Sequence, residues 1–130
     1  MGKVFQDKVA IVTGGSFGIG RATAIAFAAG GAKVVIADWT EDNETLSRIK
    51  SAGGDAIFLK CDVSNEADVK MLVDKTIAQY GRLDYAFNNA GVEGLSAPTH
   101  ECTTENWDKT IGVNLKGIWL CMKYEIPQML

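Results

Sequence analysis

Histidine is almost missing from this sequence: His100 is the only one in 130 residues. A metal cluster or catalytic triad built on imidazoles is therefore excluded within one chain, and no metal site is expected. Cysteine is scarce and odd in number. Cys61, Cys102 and Cys121 show no C-x-x-C or ligand-like spacing, which favours reduced thiols over a disulfide framework. No basic run occurs, and the formal net charge is −3, which argues against a nucleic-acid surface. No apolar run approaches the ~18–20 residues that cross a bilayer. Met1–Asp7 lacks the apolar segment of a secretory signal, so a cytoplasmic protein away from membranes is expected.

What is present is a 47% hydrophobic, 22% charged chain, and residues 1–130 read as one globular domain. Apolar runs and amphipathic stretches alternate along it. Lys8–Val12, Lys33–Asp38, Ala56–Cys61 and Leu83–Phe87 read as strands, nearly continuous in apolar residues, as in a sheet covered on both faces. Between them lie expected helices over Gly18–Ala29 (apolar face Ile19, Ala22, Ala26, Ala29), Glu41–Ala52 (capped by Thr40, face Leu46 and Ile49) and a stretch capped by Ser64 and ending at Tyr80. Val92–Cys102 reads as a loop. Thr103 or Thr104 caps a last helical region through Trp107, Ile111, Leu115, Ile118, Trp119 and Met122, which Pro127 should disrupt or end.

This βα alternation implies an α/β fold: a doubly wound parallel sheet joined by right-handed crossovers, with strand order 3-2-1-4. Ligands of such sheets lie across the C-terminal strand ends, and the notable residues fall there. Thr13–Gly20 reads T-G-x-x-x-G-x-G between the first strand and the first helix. Glycines at a helix start let an anion approach free N–H groups and the positive end of the helix dipole. The spacing is neither G-x-G-x-x-G nor a Walker loop. Asp38 ends the second strand 18 residues after Gly20, where a carboxylate can accept from the adenosine ribose hydroxyls and repel a 2′-phosphate. Ser16 and Phe17 are not basic and Trp39 follows the acid, so NAD is expected over NADP. Asp62 and Val63 after the third strand are candidates to meet adenine.

Taken together, T-G-x-x-x-G-x-G at Thr13–Gly20, Asp62-Val63, Asn88-Asn89-Ala90-Gly91 and Asn114 in Val113-Asn114-Leu115 resemble the short-chain dehydrogenases/reductases, in order and approximate spacing across essentially the whole chain. The resemblance implies a Rossmann-type fold with Gly14, Ser16, Phe17, Gly18, Ile19, Gly20, Asp38, Trp39, Asp62, Val63, Asn89, Ala90 and Gly91 at the dinucleotide. It also implies a catalytic-site role for Asn114, bending its helix and holding a relay water. The family's Tyr-x-x-x-Lys is absent: Tyr80, Tyr85 and Tyr124 are followed four residues on by Asp84, Asn89 and Gln128. The expectation is thus the cofactor-binding portion of an NAD(P)-dependent oxidoreductase for alcohol or carbonyl substrates, truncated after about four strands, inactive alone and homo-oligomeric. The alternative is a non-catalytic nucleotide-binding or assembly module of the same fold.

Overall fold

The computed structural model describes residues 3–130, so Met1 and Gly2 of the segment searched for a signal lie outside the described residues. Four strands, β1 (Val9–Thr13), β2 (Lys33–Asp38), β3 (Asp55–Lys60) and β4 (Tyr85–Asn88), form one parallel sheet in the order β3-β2-β1-β4. The expected 3-2-1-4 arrangement is what the chain adopts. Helices α1 (Gly18–Ala29), α2 (Glu44–Ser51) and α3 (Glu66–Tyr80) connect the strands, and α4 (Thr104–Ile111) leads through a five-residue π-helical turn, Gly112–Lys116, into α5 (Gly117–Met129). No helix of the described residues is long and apolar enough to cross a membrane.

Strand alternation splits the core in two. Ile11 and Val35 are register partners and face one layer, with Val69, Leu72 and Val73 of α3 and Leu120 of α5. Val12 and Ile36, the next pair, face the other, with Ala24 and Ala28 of α1 and Ile49 of α2. Both faces are thus covered, and every side chain of β1 is buried.

Several local expectations are corrected. The buried face of α1 is Gly20, Ala24 and Ala28, and Ile19 is 72% exposed. An alanine-rich helix carries little contrast between faces, so a steric demand at Gly20, described below, sets its rotation. Helix α2 begins at Glu44, three residues later than expected. The Asp38 and Asp42 carboxylates accept the Thr40 and Glu44 N–H groups at 2.9 Å each, holding this segment in turns, and Thr45 is buried with Ile49. Asn65 rather than Ser64 caps α3, accepting the Asp68 N–H at 3.0 Å. Strands β1, β3 and β4 are each displaced by one or two residues from the apolar runs. Thr103 caps α4 by accepting the Asn106 N–H. Pro127 does not end α5, which runs on to Met129; one missing N–H in a last turn is a small loss.

Candidate dinucleotide site

The C-terminal ends of all four strands open on one rim, where a cleft of about 610 Å³ lies. Its walls bring together Gly14, Phe17, Gly18, Ile19, Asp38, Trp39, Val63, Asn89, Ala90 and Gly91 from the expected set. Ser16 and Gly20, both buried, and Asp62 lie off the lining. The Asp62 Oδ1 accepts from the N–H and hydroxyl of Ser64, at 2.9 and 2.7 Å, and so shapes the turn into α3.

The glycine loop is fixed from below. Thr13 Oγ1 accepts the N–H groups of Asn89 and Ala90 at 3.0 and 3.1 Å, and Asn89 Nδ2 donates to the carbonyls of Thr13 and Gly14. The end of β1 is thereby tied to the end of β4. A Cβ on Gly20 would run into the Gly14 carbonyl and stand 2.8 Å from Asn89 Nδ2, so only glycine lets α1 seat against the loop. Gly14 and Gly18 have φ of +66° and +56°, a region that glycine enters without strain. Helix α1 then begins with no side-chain cap from Phe17 and no acid in its first turn. The N–H groups of the first turn of α1, at Gly18 and Ile19 on the cleft wall, consequently lack a helical acceptor, which is the chemistry of an anion site.

Asp38 is 9% exposed. One carboxylate oxygen accepts the Ser16 N–H at 3.2 Å, the other the Thr40 N–H at 2.9 Å, which orients the group and leaves acceptor capacity on both oxygens. Two cations approach this end by folding. Arg21 lies 5.6 Å from the centre of the Phe17 ring, with Nε donating to Thr45 and its guanidinium 3.6 Å from Asp42. Lys109, from α4, sits 5.4 Å from the centre of the Trp39 ring. Arg21 directly follows the glycine motif and lies four residues from Phe17, so that contact was within reach of the sequence; nothing near Trp39 in the sequence marks Lys109.

At the opposite end Asn114 occupies the middle of the π turn. Its Oδ1 accepts the Val92 N–H and its Nδ2 donates to the Val92 carbonyl, both at 2.7 Å, so the carboxamide holds the loop after β4. Cys61, which also lines the cleft, is held as a protonated thiol near neutral pH. Burial, then the nearby Asp68 and Asp62, push its thiol up to about 12. Sequence reasoning missed Ala37, Thr40, Cys61, Val92, Glu93 and Val113 in the lining. Ala37, Thr40, Cys61, Val92 and Val113 each adjoin a motif or expected site residue and were within reach of it; Glu93 follows Val92 into the lining.

A sequence model of the family described as short chain dehydrogenase matches residues 8–130. The chain belongs to the short-chain dehydrogenase family. It is 42% identical over 125 residues to 2,5-dichloro-2,5-cyclohexadiene-1,4-diol dehydrogenase of Sphingobium indicum, covering 96% of this chain and 50% of that protein. It is 47% identical to tropinone reductase-like 1 of Erythroxylum coca, covering 94% of this chain and 46% of that one. The crystal structure of levodione reductase superposes with a TM-score of 0.88 at 38% identity, over 96% of this chain and 50% of that chain. The chain thus spans about half the length of the curated relatives it matches.

Short-chain dehydrogenases bind nicotinamide dinucleotides, and the residues on this rim fit such a group. The uncapped helix start suits a pyrophosphate, the oriented Asp38 carboxylate suits a ribose diol, and the cleft is in the ~300–1,000 Å³ range of small-molecule sites.

Proposed function

We propose that this chain is the NAD(H)-binding portion of a short-chain dehydrogenase that transfers hydride between NAD(H) and an alcohol or carbonyl substrate. The observation that carries the reading is the Asp38 carboxylate, held by two backbone N–H groups at the rim where Gly14, Gly18 and the start of α1 converge. The bound dinucleotide supplies or accepts the hydride. The chain's own residues do the binding: Gly18 and Ile19 offer N–H groups to the pyrophosphate, and Asp38 accepts from the ribose hydroxyls. Val63 and Trp39 flank the adenine side, while Asn114 fixes Val92 at the other end and retains one acceptor site and one N–H for a relay water. No Tyr-x-x-x-Lys occurs among these residues, so the proton at the substrate oxygen comes from another part of the whole protein.

A 2′-phosphate beside Asp38 would meet like charge in a partly desolvated position, costing ~1–3 kcal/mol, or roughly fivefold to 150-fold in affinity. Arg21 and Lys109 temper that repulsion less than free cations would, because Asp42, Thr45 and the aromatic rings already engage them. Titration calorimetry with NADH and NADPH tests the reading. NADH is expected to bind more tightly, Asp38→Ser should narrow the difference, and a secondary alcohol added with NAD should give no NADH from these 130 residues. Equal or tighter NADPH binding removes the NAD preference; binding of neither dinucleotide removes the reading itself.

A further inference from the structure

Two asparagines, Asn106 and Asn114, make the same unusual contact. Each uses both ends of its carboxamide on the backbone of a single residue in the loop after β4. Asn114 bonds the N–H and C=O of Val92 at 2.7 Å each. Asn106 bonds the N–H and C=O of Leu95 at 2.9 and 3.0 Å. A carboxamide used this way imitates a neighbouring strand, satisfying a donor and an acceptor of the loop together.

Asn106 and Asn114 stand eight residues apart, about 12 Å along a helix. The residues they hold run in the opposite order, so the loop passes along the helix in the opposite direction, fastened at both ends. Between the two fastenings lies Gly94, with φ +75°; a Cβ there would stand 2.5 Å from Thr110 Oγ1 and 3.0 Å from Asn106 Oδ1. Thr110 falls between the asparagines at four-residue steps, so Asn106, Thr110 and Asn114 share one helical face, and the loop meets it at Leu95, Gly94 and Val92. Asn106 is itself secured, its N–H accepted by Thr103 Oγ1 at 3.1 Å. Val92, itself fastened, and Glu93 beside it line the cleft.

We propose that Asn106 is a positioning residue for the cleft: with Asn114 it fastens Val92–Leu95 along α4 and so sets where Val92 and Glu93 stand against a bound dinucleotide. The inference rests on the dinucleotide reading for its binding consequence, and not for the fastening itself.

The test combines amide hydrogen exchange with NADH calorimetry on the wild-type protein and on Asn106→Ala, Asn106→Asp and Gly94→Ala. In Asn106→Ala the Leu95 amide should lose at least tenfold in protection while the Val92 amide and the core amides of Ile11 and Val35 keep theirs, and NADH should bind about three- to tenfold more weakly. Asn106→Asp retains the acceptor for the Leu95 N–H, so that amide should stay within about threefold of wild type. Gly94→Ala leaves both asparagines intact but lifts the loop from this helical face, and should weaken NADH binding comparably. Unchanged Leu95 exchange in Asn106→Ala overturns the fastening. Faster Leu95 exchange with unchanged NADH affinity, in either Asn106→Ala or Gly94→Ala, overturns its role in the cleft. Failure of the wild-type protein to bind NADH would instead count against the dinucleotide reading, and the exchange data would still decide the fastening.

Discussion

Glu125 offers a quantitative test of how β4 is held. Its side chain lies on α5, 2% exposed, with Oε1 accepting from Asn88 Nδ2 at 2.9 Å. The second carboxylate oxygen and Asn88 Oδ1 are both buried without a partner. Burial raises the Glu125 pKa from its ordinary 4.5, and the Asn88 bond only partly offsets this. An acid whose pKa is raised by folding binds more protons in the native state than in the unfolded one. Stability therefore falls as pH climbs from about 4.5 through the raised value, and levels off above it. Glu125→Gln removes the charge while keeping the acceptor for Asn88, and adds an N–H that can serve the orphaned Asn88 oxygen. Each buried unsatisfied polar group costs ~1–3 kcal/mol, so the variant should gain about 1–3 kcal/mol at pH 8. That corresponds to roughly 3–10 °C in Tm for a chain of this size. The gain should shrink toward pH 4.5, where the wild-type carboxyl carries its own proton. Thermal unfolding from pH 4.5 to 8.5, followed by circular dichroism, measures both curves. A lower Tm for Glu125→Gln at pH 8, or a difference that does not vary with pH, would refute the argument that burial of this carboxylate is costly.

Gly20→Ala should abolish measurable dinucleotide binding, because its Cβ meets the Gly14 carbonyl and Asn89 Nδ2 and drives α1 off the loop. Gly18→Ala meets nothing within 4 Å and should cost only the ~1 kcal/mol of an alanine at positive φ; calorimetry and thermal melts on the pair separate collision from strain, and equal effects would contradict the close-approach argument. Trp119, Met122 and Ile126 on α5 are 53%, 42% and 49% exposed, and β4 is an edge strand, so self-association through the helix or the edge is expected. A compact monomer in light scattering at micromolar concentration would rule that out.

The sequence by itself determined the strands and the residues at their C-terminal ends from local signals, and the strand order from the handedness and order that βα alternation imposes on a parallel sheet. Apolar runs alternate with helical periods, and Gly14–Gly20, Asp38 and Asn88–Gly91 each terminate a strand within a few residues. Such turn and cap chemistry acts over distances that a short window of sequence contains. The rotation of α1 was illegible, since its alanines look alike and a collision with Gly14 decides which face turns inward. The start of α2 was set by two aspartates bonding their own backbone in competition with the helix. Only the tertiary structure decided what crosses long separations: Lys109 over Trp39, Asn106 on Leu95, Asn114 on Val92 and Asn88 on Glu125. Each of these joins side chains or backbone whose meeting depends on how α4 and α5 fold over the sheet, and a polar residue at a helical position carries no mark of the partner that packing will bring to it.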